Sequence, residues 1–340
     1  MELSAERWER MTATDRTQFA ERLVRQLPSG FSFGGVRLHE YCGQKRNVAS
    51  FEKEGSHFVL IPGGQVSLGY DERRQFAPDA NELDSWRETA EEYGIDLSLQ
   101  EYIIQATLRV RSIEFAPMLI ESAPGELGWQ SIDCDDGEVK SIVREYPRQK
   151  HIDVSRNGTT TRVLMQPDGT IVASRSISRT HADLAAMIAA AGFRLPTSDE
   201  WEYACGGGSG TLFRWGDHVP CDRYPTDISP AEAEWNRQWA LSGGTLQRPA
   251  AEFVSDWNYH RAPNAFGLLI AADPYKSELV REIGVTRGGD GGSTICGGAG
   301  FFIGWMTLAT AYFEEHSCRH DPDEPIDQGY TVGRRVLELY

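Results

Sequence analysis

The stretch Phe193-Arg194-Leu195-Pro196-Thr197-Ser198-Asp199-Glu200-Trp201-Glu202-Tyr203-Ala204 constrains this chain more than any other. Thr197 and Glu200 stand in the T-x-x-E spacing of a capping box, which predicts a helix starting at about Thr197. Pro196 ahead of the cap keeps the incoming chain extended. Trp201 and Ala204 or Cys205 then fall on one side of a short helix and face a core. The run Gly206-Gly207-Gly208 ends that helix, and Arg214-Trp215-Gly216-Asp217 follows closely.

With 340 residues the chain can bury a large core as one domain or two smaller ones. Its 50 Asp and Glu against 34 Lys and Arg leave a net charge of −16, which argues against nucleic acid and against an anionic membrane surface as partners. There is no apolar run of the ~18 residues that a membrane-spanning helix needs. Met1 to Arg7 lack a basic region followed by an apolar one, so no secretory signal is expected and a cytoplasmic location follows. Cys42, Cys134, Cys205, Cys221, Cys296 and Cys318 are scattered without a C-x-x-C pair and are expected as free thiols.

Residues 1–29 read as helical, with Ser4 and Thr14 as caps and Phe19, Leu23 and Leu27 on one face, up to the break Pro28-Ser29-Gly30. Residues 31–70 read as strands, with Phe58–Ile61 entering a Pro-Gly-Gly turn and a second strand following. Asp79 to Tyr93 predict a solvated helix, and residues 101–120 carry strand-like spacing. Between 122 and 175 the pairs Asp136-Gly137, Asn157-Gly158 and Asp168-Gly169 are hairpin signals among β-prone runs. Thr180 to Ala191 predict a helix ended by Gly192. Beyond residue 205, Gly, Trp and Asn become frequent and periodicity fades, as in long loops held by tryptophans.

The run from Arg194 to Asp217 resembles the R-L-P-T-x-x-E-W-E-Y-A … W-G-D signature of the formylglycine-generating enzyme (sulfatase-modifying factor) family. Phe58–Gly69 resembles that family's opening hairpin, and Asn264-Ala265-Phe266-Gly267-Leu268 resembles its N-x-[FY]-G-L. Val332-Gly333-Arg334-Arg335-Val336 resembles its closing x-G-F-R-[CV], with Arg334 where an aromatic is usual. The resemblance implies an α+β fold: a modified C-type-lectin-like domain, formylglycine-generating-enzyme-like, with low regular secondary structure. Residues 1–45 are then an N-terminal helical segment, and 46–340 the domain, with a β-rich insertion at about 122–175. The signature lies outside the family's catalytic residues, so it speaks to fold and not to reaction.

The family's oxidase holds copper(I) with two thiolates in G-G-S-x-x-C-x-x-x-x-C, a near-linear soft site that activates O₂. Gly291-Gly292-Ser293-Thr294-Ile295-Cys296 matches its first half, but Phe301 stands where the second cysteine belongs. Cys318 is the only later cysteine, so Cys296 and Cys318 are the candidate catalytic and copper-binding pair; a buried inert thiol beside a partly exposed one is the plainer alternative. His316 and His320, four apart, could share a metal on a helix face. They resemble the iron motif H-x-x-x-H-x-E of the related ergothioneine-pathway sulfoxide synthases, with Pro322 in the place of Glu; a solvated polar turn is the alternative. His39, His57, His151, His181, His218 and His260 show no ligand spacing.

Asp273, Asp290 and Asn264 are candidate calcium ligands, although the family's G-N-x-W-E-W reads Ala272 to Leu279 here without the Asn or tryptophans. The glycine clusters 206–210 and 288–292 do not sit between strand and helix as a phosphate cradle requires, and Ser209 and Ser293 read as turn residues. Trp201, Trp215, Trp235, Trp239, Trp257 and Trp305 either pack a loop-rich core or line a groove. Arg194 and Arg335 are expected to tie loops through carboxylates, with Glu200 and Glu202 as partners. Three functions follow: a metal-dependent oxidase or sulfur-modifying enzyme acting on a thiol-bearing small molecule or peptide, a non-catalytic binding or accessory module, and a structural partner domain. Only the first needs a second soft ligand near Cys296.

Overall fold

The computed structural model describes residues 3–156, 159–227 and 257–339. Two short helices open it: α1 (Ala5–Arg10), capped by Ser4, and α2 (Ala13–Val24), capped by Thr12 in a box with Asp15. Thr14, expected as a cap, lies inside α2, because only Thr12 has an acid three residues on. Strands β1 (Ser32–Tyr41), β2 (Gln44–Lys53) and β3 (Ser56–Ile61) follow as antiparallel hairpins. With β6 (Met118–Glu121) and β15 (Val336–Glu338) they form a five-stranded sheet ordered β1-β2-β3-β6-β15, in which β15 joins the sheet of the first strands through β6.

The central strands β3 and β6 of this sheet are buried on both faces. Phe58 and Leu60 pack with Trp8, Leu23 and Leu184 on one side, whereas Val59 and Ile61 pack with Trp201, Phe213 and Trp305 on the other. Strand residues alternate faces, so an unbroken apolar run is what two cores demand. The expected hairpin at Pro62-Gly63-Gly64 does not form. Strand β4 (Gly64–Leu68) leaves the large sheet and pairs with β5 (Arg111–Phe115) instead. Gly63 lies so close to the backbone of Phe115–Pro117 that a Cβ would collide with it, and its own N–H and C=O bond to Leu3 and Ala5.

Helix α3 (Ala80–Tyr93) carries a capping box of Asp79 and Glu82, but it is not simply solvated, because Glu82, Ser85, Trp86 and Thr89 are buried. Helix α4 (Leu99–Gln105) takes the start of the span expected as strand; Ser98 and Glu101 form its capping box, and Leu99 and Ile103 bury one turn apart. A second sheet holds β8 (Trp129–Ile132), β9 (His151–Arg156), β10 (Thr159–Met165) and β11 (Ile171–Ser176) in the order β8-β11-β10-β9. Helix α5 (Gly137–Glu145) seals it with Val139 and Ile142 against Ile152, Val163 and Ala173. Asp136-Gly137 is therefore not a hairpin; Asp136 caps α5 by accepting the N–H of Glu138. Asp168-Gly169 does turn β10 into β11, with Gly169 at φ +85°, and Asn157-Gly158 lies outside the described residues.

Helix α6 (His181–Ala190) is capped by Thr180, and α7 (Ser198–Gly206) by Thr197 in the expected box with Glu200. Gly207, at φ +61°, ends α7. A third small sheet joins β7 (Gly125–Glu126), β12 (Ser277–Leu279), β13 (Thr286–Arg287) and β14 (Thr331–Gly333). The fold is mixed α+β, and among the described residues the span after α7 holds only short strands and short helices.

Candidate functional site

Helix α7 is held by charges that each serve twice. Glu200 accepts the Thr197 N–H and also receives both ends of the Arg194 guanidinium, at 2.7 and 2.8 Å. Glu202, 3% exposed, accepts the Gly69 N–H at 2.6 Å, Arg111 Nη2 at 2.7 Å and Arg287 Nη2 at 3.1 Å. Arg287, fully buried, also donates to the Thr310 carbonyl and lies over the Trp201 ring, which Gly288 leaves room for. Arg335 is structural as expected, but its carboxylate is Glu121 and not Glu202, since β6 runs beside the end of the chain. Arg334, in the place of an aromatic, forks onto buried Glu278 at 2.6 and 2.8 Å.

The segment that follows β13 is built differently. The Asp290 carboxylate accepts the N–H of Gly292 and of Thr294, both at 2.8 Å, and the Thr294 hydroxyl, which nucleates a one-turn helix, Ser293–Cys296. Cys296 is exposed at its end. Its Sγ lies 3.1 Å from the Tyr275 hydroxyl, and this bond raises the pKa of Tyr275. Tyr275 in turn stacks on Tyr330. Gly292, at φ +79°, is required here because a Cβ would run into the Tyr275 ring.

Cys318 is 0% exposed and packs in the larger core, where burial pushes its thiol up to about 11. No disulfide joins it to Cys296. The helix expected to carry both histidines is the four-residue turn Glu315–Cys318, and Arg319 is already extended at φ −120°. His316 and His320 therefore do not share a helix face; His316 is exposed. His320 instead stacks on His181, its Nε2 3.3 Å from His181 Nδ1. His181, fully buried, donates from Nε2 to the Val280 carbonyl at 2.8 Å and accepts the Gly284 N–H at Nδ1, which makes it a tie across residues 280–284. Burial lowers the pKa of both rings. The pair joins residues 139 apart, so no spacing could have revealed it.

The candidate calcium ligands are committed to the backbone. Asn264 donates to the carbonyls of Ala204 and Cys205 and accepts the N–H of Phe266 and Leu268, which closes off the end of α7. Asp273 caps Tyr275, and Asp290 caps the helix of Cys296. Among the described residues, the three ligands close enough to share an ion are Asp133, Cys134 and Asp135, all exposed on a loop. Trp215, Trp257 and Trp305 pack edge to face with ring centroids 5.1–6.1 Å apart, and His260 abuts Trp305. Trp305 is core, and Trp215 and Trp257 are half-buried against it; Trp235 and Trp239 lie outside the described residues. His260 donates from Nε2 to the Pro225 carbonyl, and burial lowers its pKa to about 3. A cavity of about 620 Å³ opens elsewhere, between β4 and the glycine loop after α7.

Residues 145–294 match the family model of the sulfatase-modifying factor enzyme 1-like domain. The matched span takes in β9 to β11, the two helices α6 and α7 with their arginine ties, and Asn264. Cys296, His316, Cys318 and His320 all lie beyond its last residue. No curated protein matches the chain.

Proposed function

We propose that this chain is a non-catalytic binding or accessory module on a sulfatase-modifying-factor scaffold of the modified C-type-lectin-like kind. The observation that carries this reading is the split between its two candidate thiols. A two-thiolate Cu(I) site needs both sulfurs to ionise at one opening. Cys296 is exposed against a tyrosine hydroxyl, whereas Cys318 is sealed in the core with its thiol raised to about 11. The donor set as placed does not fit that ion, and His320, turned onto His181, does not supply the missing ligand.

The ligand in this reading is a small molecule or a peptide, bound by shape and polar contacts, and copper, iron and calcium have no part in it. Untagged protein exposed to Cu(I) against a competing chelator tests it. Retention of copper only at a level unchanged by Cys296→Ser and by Cys318→Ser is expected. One Cu(I) per chain, lost equally in both variants, overturns the reading in favour of the oxidase.

A further inference from the structure

The cavity of about 620 Å³ is bounded along one side by the outer edge of β4. Among the described residues, strand β4 pairs only with β5, through residues 64 to 68. Just before it, Gly63 turns its N–H and C=O to the opposite edge, toward Leu3 and Ala5. Just after it, the Gly69 N–H goes to the Glu202 carboxylate at 2.6 Å. Alternate residues of a strand direct their backbone groups to the same edge, so Gln65 and Ser67 also face outward. By that alternation their N–H and C=O groups lie off the β5 ladder, and among the described residues no backbone bond outside the ladders reaches them. Four main-chain groups thus lie off the ladder between two positions where the same edge is already satisfied.

The facing wall suits an added strand. It includes Gly206, Gly208 and Gly210, and a Cβ at Gly210 would meet open space. The charge of the cavity is set by Arg46, Arg73 and Arg74 against Asp71 and Glu202. Glu202 is already matched by Arg111 and Arg287, and Asp71 by Arg73. Arg46 is held by neutral groups: it donates to the Gly207 carbonyl at 2.8 and 3.1 Å and lies over the Phe266 ring, with its nearest carboxylate, Glu9, at 3.8 Å. A pre-positioned guanidinium with little counter-charge favours a carboxylate in the ligand.

We propose that an extended acidic peptide segment of a partner protein adds to β4 as a third strand, pairing with the backbone of Gln65 and Ser67 and placing a carboxylate on Arg46. Main-chain bonds provide the affinity in this mode, and flanking side chains the selectivity. The inference deepens the binding-module reading and rests on it. None of the residues that build this site is a candidate metal ligand.

The test titrates the full chain with a fluorescent decapeptide of alternating Glu and Val, followed by anisotropy. An alternating Lys-Val peptide and a Glu-Val peptide N-methylated at alternate residues serve as controls. Binding of the unmethylated acidic peptide alone is expected, weakened about tenfold by Arg46→Gln. In the unsubstituted protein its presence should slow amide exchange at Gln65 and Ser67. Absence of binding, equal binding of the methylated peptide, or unchanged exchange at those two amides overturns the inference. If the peptide fails and Cu(I) uptake is also absent, the strand-edge site falls while the binding-module reading stands; cysteine-dependent Cu(I) uptake removes the reading itself.

Discussion

Residues 193–217 and residues 290–320 are both rich in glycine and aromatics, yet they are held in opposite ways. In the first, carboxylates are shared: Glu200 completes the capping box of its helix and clamps Arg194, and Glu202 joins Gly69, Arg111 and Arg287. In the second, Asp290 accepts from the turn that follows it, Cys296 bonds the Tyr275 hydroxyl, and Cys318 and His320 turn inward to unrelated partners. A buried charge is tolerated only in a complete set of partners, so removing one charged partner in the first region leaves the others uncompensated. The second has no such mutual dependence. The family-model match covers the whole of the first region and only the opening residues of the second.

The largest expected effect is on the shared web. Arg287→Met leaves Glu202 short of a partner in the core and should cost about 3–5 kcal/mol in urea unfolding. A loss below about 1 kcal/mol would show that the web is not what holds the first region together.

His260 lies between the regions, with its carbonyl on Arg214 and its ring on Trp305. Burial lowers its pKa from 6.5 to about 3, with smaller contributions from Arg261 and Arg214. The folded chain thus keeps it neutral where the unfolded chain takes a proton. Its contribution is held above pH 6.5 and lost as pH falls toward 3, at about 1.4 kcal/mol per pH unit. The pH slope of urea midpoints should shrink by about one proton in His260→Gln. An unchanged slope would mean that the ring is protonated in place, and that the contact between the regions is looser than its burial implies.

The smallest effects sharpen the contrast directly. Thr197→Ala removes a cap from the first region and should cost about 1 kcal/mol. Cys296→Ser, at the exposed end of a single turn, should stay within about 0.5 kcal/mol of the parent. A larger loss at Cys296 than at Thr197, in the same unfolding measurement, reverses the comparison.

Much of the fold was legible where its cause is local. The box of Thr197 and Glu200, the cap at Ser4, the Thr180 helix and the turn at Asp168-Gly169 depend on groups a few residues apart. The same spacing stands at Ser98 and Glu101, ahead of a strand-like run, and there the capping box decides the start of α4. At Asp136-Gly137 the turn signal was real but capped a helix, since an Asp can bond the N–H two residues on in either setting. The candidate site was legible only as a set of residue types. Cys296 could be placed in a glycine turn from its motif, but its neighbour Tyr275 comes from another strand end, and nothing near Cys318 in sequence tells of its burial.

The sequence by itself determined the helix starts, the glycine stops, the two-sided strand β3 and the need of Arg194 for Glu200, because each rests on short spacing or on an apolar run that water disfavours. Only the tertiary structure decided that β4 deserts β3 for β5, that Arg335 takes Glu121, that His320 leaves His316 for His181, and that one thiol is sealed while the other is open. Those outcomes join segments far apart in the chain. They are selected by which buried polar groups can all be satisfied at once, a condition that belongs to the packed molecule and to no stretch of sequence.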